Sequence, residues 1–353
     1  MDLSVPCGKF HTRYRQDKAV IRSRSQWGLL IGFLVFMLVL PMFVNNAWLS
    51  VVNKIGIWVV AIMGLNILTG YCGLISMGQF AFMGIGAYTC GILAASAHMP
   101  FWLTIPCAGL VAGLVGIIFG LPAVRIKGFY LVMATISAHY IFNFAILHLP
   151  RELAGRETGL SVPAASLGGF VFNSEPRMFY FILFFAVLAV FLGKNIIRTK
   201  TGRAFVAIRD NDLAAQSIGV NLFGYKLIAF FICSAFAGVA GAVWAYYVRY
   251  IGIEQFQLWY SVWLIGMLIV GGMGSIVGGI FGVIFLKFFE EMVTVAGPLL
   301  DRLFPEMGGG IVFSAVNVMF GLVIMLFLIF EPKGLAHRWE LFKAYYRLFP
   351  YKY

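Results

Sequence analysis

The sequence predicts an all-α integral membrane protein, a polytopic helical bundle of about ten transmembrane helices with both termini in the cytoplasm. Its 353 residues are 61% hydrophobic and only 11% charged, which is far from the composition of a soluble globular domain. The lysines and arginines are also sorted into three clusters, in residues 1–26, in 194–226 and after Lys333. Because basic residues gather in cytoplasmic loops, all three clusters are expected inside.

The apolar segments set the number of crossings, because a span needs about 20 mostly apolar residues. The stretch 258–292 is ambiguous. As one span it gives nine crossings and places the basic C-terminus outside. As two segments hinged at the glycine cluster Gly271–Gly279 it gives ten crossings and a C-terminus inside. We therefore predict ten, with the loops 150–177 and 290–308 outside. The other predicted spans are 27–44, 54–69, 76–96, 101–121, 128–149, 178–193, 226–248 and 310–330.

This map divides the chain into a basic cytoplasmic N-terminal tail (1–26), a transmembrane domain (27–330) and a basic cytoplasmic C-terminal tail (331–353). The net charge of +12 would suggest nucleic acid as the partner of a soluble protein. Here the charge follows the topology, so we expect no nucleic-acid partner and place the N-terminal tail on anionic lipid. The apolar run from Trp27 to Val44 is too long for a signal-peptide core, which predicts that it is retained as a span.

The stretch Gly64–Tyr88 is unusually rich in small residues. Small residues allow membrane helices to pack closely, which is one explanation. The other is a broken or re-entrant helix beside a pathway, where freed backbone groups face a cavity. The sequence leaves both open, although the polar Asn66, Ser76 and Gln79 slightly favour a pathway. The five cysteines include no C-x-x-C pair and are interpreted as packing residues.

The distribution of charge argues against an intrinsic energy source. No carboxylate occurs between Asp17 and Glu152, and no charge occurs from Gln255 to Leu286. Ion-coupled carriers keep ionisable groups inside the membrane. His139 is the one histidine predicted deep in a span, and a lone histidine there is more often a packing or pore-lining residue than a proton relay. Transport is therefore either passive or driven by a partner.

No enzyme motif is present. The chain lacks the H-E-x-x-H, G-x-S-x-G and G-x-x-x-x-G-K-[ST] patterns, so we expect no catalytic activity and no ATP hydrolysis by this chain. Glu290 and Glu291 are adjacent, which puts them on different faces of a helix and fits a solvated outer edge better than a catalytic pair. No metal site is predicted.

The segment Thr201–Lys226 is the one long polar interruption with the pattern of ordered structure. Its apolar residues recur at helical spacing, a gap at Asn211 and Asp212 predicts two short helices, and Gly219 is a predicted stop. A half-apolar helical pair at the membrane surface must bury its apolar face, and another protein is the natural candidate.

Two stretches resemble signatures of one family, the branched-chain amino-acid ABC permeases of the Liv-system M type. GLNILTGYCGLISMGQFAFMGIGAY (Gly64–Tyr88) is similar to G-L-N-x-x-x-G-x-x-G-x-x-S-x-G-x-x-A-F-x-x-x-G-A-Y. The segment from Thr201 resembles G-R-A-x-x-A-I-R-D-N-E-x-A-A, with Asp212 in place of the usual glutamate. GGMGSIVGG and the C-terminal FEPKGL also look like the family's. GRETGLSVP (Gly155–Pro163) departs from it, because the paired glycines are missing.

The resemblance implies a permease subunit of an importer for branched-chain or other small amino acids in the bacterial inner membrane. Its partners would be an H-type permease, two cytoplasmic ATPase subunits that bind ATP and Mg, and a periplasmic binding protein, and the chain itself would need no cofactor. The expected ATPase-coupling residues are Arg203, Arg209, Asp210, Asn211, Asp212, Ala214, Ala215 and Gly219. The pathway candidates are Asn66, Ser76, Gln79, Thr135, Ser137, His139 and Asn143, for which hydrogen bonding between helices is an equal alternative.

Two rival functions stay open from the sequence. One is a permease of the same fold for urea or short amides. The other belongs to a different class, a channel or secondary carrier that works without partners.

Overall fold

The computed structural model describes residues 24–126, 128–150, 155, 158–167, 170–303 and 311–348. These ranges are overwhelmingly helical, as the all-α prediction requires. A π-helical segment, Asn66–Tyr71, continues the second helix without a break. The helices are α1 (Arg24–Phe43), α2 (Asn46–Leu65), α3 (Gln79–Ala95), α4 (Phe101–Arg125), α5 (Phe129–His148), α6 (Glu175–Arg198), α7 (Lys200–Asp210), α8 (Asp212–Ser217), α9 (Leu222–Val248), α10 (Leu258–Gly271), α11 (Ile276–Leu303), α12 (Ile311–Phe330) and α13 (Gly334–Leu348).

The helices agree with a multi-pass membrane protein. Each of the other predicted spans coincides with a long helix. The ambiguous stretch 258–292 is divided between two helices, α10 and α11. Among the described residues, six helical segments are by themselves long and apolar enough to cross a membrane. The pair formed by α12 and α13, bent by 47°, would make a seventh. The number ten therefore stays a prediction.

A glycine turn joins α10 and α11 into an antiparallel hairpin. The helices break between Gly271 and Ile276, inside the glycine cluster, and Gly272 and Gly274 have φ angles of +109° and +79°. Such angles are open to glycine without strain. Gly282 faces the backbone of Met267 across the hairpin, so the two helices lie nearly in backbone contact.

Helices extend into two segments that the sequence analysis describes as a loop and a tail. The loop expected over 290–308 is helical as far as Leu303, because α11 continues through its charged stretch, where Lys287 and Glu290 pair one turn apart. The C-terminal tail expected over 331–353 contains an ordered helix, α13, which packs on α11 through Trp339 and Phe281. Charged residues marked the end of the apolar pattern, and the helix continues beyond that pattern.

The core is built around α9, which packs against α2, α3 and α4. Small residues form these contacts. Gly241 of α9 faces the Met83 backbone of α3, and Gly238 lies against both α3 and α4. Cβ atoms at these glycines would collide with backbone, so the close approach requires glycine. The packing explanation for the small residues of Gly64–Tyr88 is thus correct for α3.

The bundle has two distinct ends. One end, here called the coupling end after the coupling residues expected there, contains α7, α8 and the turn Gly272–Ser275. The strand end contains four two-residue strands, in which β1 (Leu160–Ser161) pairs antiparallel with β4 (Tyr250–Ile251) and β2 (Ser166–Leu167) with β3 (Phe170–Val171). At the strand end, the Glu175 carboxylate accepts hydrogen bonds from Asn53 at 2.7 Å and Tyr247 at 3.2 Å, which ties α6 to α2 and α9.

Candidate functional site

The polar segment between α6 and α9 folds as the two short helices that the sequence predicts. Asn211 separates them with an extended φ of −161°, and its Oδ1 accepts from the backbone N–H groups of Leu213 at 3.0 Å and Ala214 at 3.1 Å. This is an N-cap of α8. Gly219, at φ +88°, ends the pair. The break is at Asn211 alone, because Asp212 is already the first residue of α8.

Arg209 joins α7 to the membrane helices. Its Nη1 donates to the carbonyl oxygen of Gly70 at 3.0 Å, in the π-helical end of α2, and its Nε and Nη2 donate to Asp210 at 3.2 and 3.1 Å. The same guanidinium lies beside Gly274, and the aliphatic stem lies against Gly73. One side chain therefore touches α2, the segment after it and the hairpin turn.

Asn66 closes this junction from the other side. Its Nδ2 donates to the carbonyl of Ser275 at 2.8 Å, and its Oδ1 accepts from the N–H of Gly274 at 3.0 Å. The second bond satisfies the N–H of Gly274, in the break between α10 and α11, and the first adds to the bond that the Ser275 carbonyl accepts from the N–H of Gly279 at 3.1 Å. A π-helical segment inside a helix is often found at functional sites. Here it presents the amide of Asn66 and the carbonyl of Gly70 to two different partners.

A buried ion pair ties the start of α8 to the start of α9. Lys226 Nζ lies 3.1 Å from Asp212 Oδ2, with side chains 2% and 16% exposed. A buried cation is costly without a partner, so Asp212 is an internal tether for Lys226. Asp212, at the position where the resembling family usually has glutamate, forms this pair.

The outward side of α7 and α8 differs from the inward side. Phe205 and Ala215 are buried, whereas Leu213 and Ile218 are 74% and 77% exposed. The expected coupling residues thus divide into two groups. The first group faces inward or is bonded to the bundle, and it contains Arg209, Asp212 and Ala215. The second group is exposed, and it contains Arg203, Asp210, Asn211, Ala214 and Gly219. The exposed apolar pair on α8 was missed in the sequence, because leucine and isoleucine in a helical pattern indicate burial.

Four of the expected pathway residues have internal partners. Gln79 donates to the Ala61 carbonyl at 3.0 Å and accepts from Cys233 at 3.0 Å. Thr135 accepts from the N–H of Met77 at 3.0 Å, in the irregular segment between α2 and α3. Ser76 caps the N–H of Gly78 at 3.4 Å, and Asn66 holds the hairpin turn. Thr135, Ser76 and Asn66 thus satisfy irregular backbone inside the bundle, and Gln79 joins α3 to α2 and α9.

The other three pathway candidates lie on α5. His139 is 1% exposed, and its Nδ1 has no hydrogen-bond partner among the described residues; the same holds for Oδ1 of Asn143. They are four residues apart and therefore share a face. Ser137 lies elsewhere, on the exposed face of α5, where its hydroxyl donates to the Met133 carbonyl. The hydroxyl oxygen of Tyr88, on α3, is another buried polar atom without a partner in the described chain.

A second charged site inside the bundle was missed in the sequence. Lys287 pairs with Glu290 at 2.7 Å, and its Nζ lies 4.0 Å from the ring centroid of Trp58. Its side chain is 10% exposed. The prediction that Glu290 belongs to a solvated edge is therefore incomplete, because this carboxylate neutralises a largely buried cation. A single lysine at the end of an uncharged run carries no periodic signal.

Comparison with known proteins places these features in context. The sequence model of the family described as "Branched-chain amino acid transport system / permease component" matches residues 47–330. The chain is 28% identical over 330 residues to the "High-affinity branched-chain amino acid transport system permease protein LivM" of Escherichia coli (strain K12), which covers 87% of this chain and 74% of that protein.

Two further relatives are more distant. The "Probable branched-chain amino acid transport permease protein LivM" of Methanocaldococcus jannaschii is 24% identical over 241 residues, 66% of this chain and 67% of its own length. The "Autoinducer 2 import system permease protein LsrC" of Escherichia coli O157:H7 is 24% identical over 297 residues, 79% of this chain and 82% of its own. No solved structure matches the chain.

Proposed function

This chain belongs to the family of permease components of branched-chain amino acid transport systems, and we propose that it is the membrane-spanning subunit of an ATP-binding-cassette importer for branched-chain or other small amino acids. Ten crossings, cytoplasmic termini and a location in the bacterial inner membrane are part of this proposal. The coupling end is then cytoplasmic, since it lies in the basic cluster 194–226.

The contact between Arg209 and Gly70 is the observation that carries the mechanism. A partner ATPase that moves α7 and α8 pulls on Gly70 through Arg209 and on the start of α9 through the pair of Asp212 and Lys226. Gly70 lies against Gly274, so the motion also reaches the hairpin turn. The exposed Leu213 and Ile218 supply the apolar surface on which the ATPase docks.

The partners follow from this arrangement. Two cytoplasmic ATPase subunits bind ATP and Mg, an H-type permease completes the membrane part, and a periplasmic binding protein delivers substrate at the strand end. This chain contributes no catalytic group and binds no cofactor of its own. A neutral or zwitterionic substrate needs polar groups more than fixed charge, so the unpartnered atoms of His139, Asn143 and Tyr88 are the proposed pathway contacts.

Reconstitution tests this function. We expect liposomes with both permeases and the ATPases to accumulate leucine when loaded binding protein and ATP are supplied, with leucine outcompeting urea. The purified chain alone should conduct nothing. Accumulation of urea in preference to leucine would support the short-amide permease, and solute movement through the chain alone would support the partner-free channel or carrier; either result contradicts the proposal.

A further inference from the structure

An apolar groove lies between α11 and the C-terminal helix α13. Its volume is about 600 Å³, within the range of about 300–1,000 Å³ that small-molecule sites have. Aromatic side chains dominate the walls, and Arg338 is the one charged residue among those that line it. The apolar lining includes Phe281, Phe285, Phe288, Leu335, Trp339 and Phe342.

The position of α13 puts this groove at a membrane surface. The helix follows the apolar α12 after a bend of 47° and is held by Ala336, which packs against Gly272 and Gly278 of the hairpin. Trp339 stacks on Phe342 at 5.8 Å, and the helix also carries His337, Arg338 and Lys343. Tryptophan and phenylalanine on one side of a basic helix are typical of helices that lie in the interface of a bilayer.

Three basic residues lie together near this groove. Lys343 Nζ is 5.8 Å from the ring centroid of Trp339, which forms part of the wall. Lys194 and Arg198 are four residues apart on α6 and so share a face of that helix, and the charge of Lys343 also acts on Lys194. In the part of the chain that the structure describes, none of the three forms an ion pair, whereas Arg338 is paired with Glu331. Clustered cations without a carboxylate repel one another and favour a bound anion.

We propose that the groove binds an anionic phospholipid, with one acyl chain against the phenylalanines of α11 and α13 and the phosphate at Lys194, Arg198 and Lys343. Apolar walls and unpaired cations at one place match the two halves of such a lipid, and this charge complementarity distinguishes it from a neutral lipid. A protein partner would have to leave the three cations unpaired or supply carboxylates to them. The bound lipid would fix α13 against the hairpin that contacts Arg209.

A photoreactive phosphatidylglycerol with a diazirine in its acyl chain tests this site in the full-length chain, assembled with its partner permease and ATPases. We expect mass spectrometry to map its cross-links to residues 281–288 and 335–342. A phosphatidylcholine probe with the same chain should label these peptides at least tenfold less. Because one basic residue near a bilayer contributes about a fivefold gain in affinity, Lys194→Gln, Arg198→Gln and Lys343→Gln together should lower labelling about 100-fold.

The control variant carries Lys54→Gln, Lys200→Gln and Lys333→Gln, which removes the same charge from exposed positions outside the cluster and should label as the wild type does. A groove variant, Phe288→Ala with Phe342→Ala, should lose labelling while keeping the basic cluster. Millimolar inorganic phosphate should displace no lipid. Four outcomes would overturn the proposal. They are equal labelling by both probes, an equal loss of labelling in the control variant, displacement of the lipid by phosphate, and cross-links to a protein subunit in place of lipid.

Discussion

The guanidinium of Arg209 donates a hydrogen bond of 3.0 Å to the carbonyl oxygen of Gly70, 139 residues earlier in the chain. This is the point at which the short helices α7 and α8 meet the long helices of the bundle. A charged donor contributes about 1.5–3 kcal/mol to such a bond, so its loss is expected to be measurable in function. Arg209 is about two-fifths exposed, which favours the lower end of that range.

Replacing Arg209 with alanine is expected to uncouple ATP hydrolysis from transport. The ATPase should still bind, because the exposed apolar pair on α8 is unchanged, but leucine uptake per ATP hydrolysed should fall about tenfold or more. The measurement is uptake and phosphate release from the same proteoliposomes. Lys200→Ala, an exposed basic change on the same helix, is the control. A normal ratio in Arg209→Ala would remove this role.

Gly70→Ala should reproduce the same defect without touching α7. A methyl group at Gly70 would collide with the Asn66 amide oxygen and the Gly274 nitrogen, so the junction must open. We expect lower thermal stability in detergent together with a lower transport ratio. Gly321→Ala is the matched control, because a Cβ there has no atom within 4 Å, and alanine is the better helix former by about 1 kcal/mol. If both variants behave alike, the junction is not tightly packed.

Removing one partner of the buried ion pair Lys226–Asp212 should destabilise the protein more than expected from removing both partners together. Lys226→Met removes the buried cation that neutralises Asp212 and is expected to lower stability by about 3 kcal/mol, and Asp212→Asn by a similar amount. The double variant should recover at least half of the sum, because no lone charge is left. Thermal unfolding of all four proteins in the same detergent gives the coupling energy. Strictly additive losses would mean that the two charges do not interact.

Leu213 and Ile218 are expected to govern assembly and to leave folding unchanged. Serine at both positions should weaken binding of the ATPase at least tenfold, since burying one such side chain contributes about 1.5–3 kcal/mol. The melting temperature of the permease should stay the same. Binding to immobilised permease is the measurement, and Met99→Ser, an exposed apolar change at the other end of the bundle, is the control. Unchanged binding would place the ATPase elsewhere.

The reactivity of the Cys72 thiol reports whether the contact between α7 and the end of α2 is closed. Burial raises the pKa of its thiol to about 12, and the Lys226 charge opposes this shift while Asp212 adds to it. Only the thiolate reacts, so at pH 8 about one part in 10,000 is reactive. With the other four cysteines changed to alanine, maleimide labelling should be slow and rise about tenfold per pH unit from 7 to 10.

Two variants provide reference labelling rates for this measurement. A cysteine at the exposed Ala214 should label far faster at pH 8, and Arg209→Ala should speed labelling of Cys72 by loosening the contact with Gly70. Fast labelling of Cys72 in the wild type would show that the junction is open at rest.

The sequence predicts local features well where one residue determines them. Asn211 and Gly219 divide and end the short helices, and the glycine cluster breaks 258–292, because caps and positive φ angles depend on residue type. The contacts of Arg209 with Gly70 and of Asn66 with Gly274 could not be predicted in this way. They join positions 139 and 208 residues apart through backbone atoms, and no pattern of side chains marks a carbonyl oxygen as a partner.

The site residues show the same limit. Thr135 and Gln79 are pathway candidates because they are polar residues in apolar spans. This criterion detects a polar side chain but does not show whether an internal partner already satisfies its hydrogen bonds. Lys287 and Lys226 stand at the edges of apolar runs, where a lysine is normally exposed. Their burial follows from Glu290 and Asp212, whose positions depend on how the helices fold around them.

The glycine contacts of α9 have a mechanical consequence. Where Gly241 meets α3, backbone lies against backbone, and along α4 the side chains of Phe230, Phe231 and Ser234 lie directly on glycines. Such close contacts leave no room for α9 to slide past its neighbours without repacking, so a displacement of α9 carries the contacting parts of α3 and α4 with it. A push at Lys226 therefore moves Tyr247, about 30 Å away along the helix axis, as part of one rigid rod.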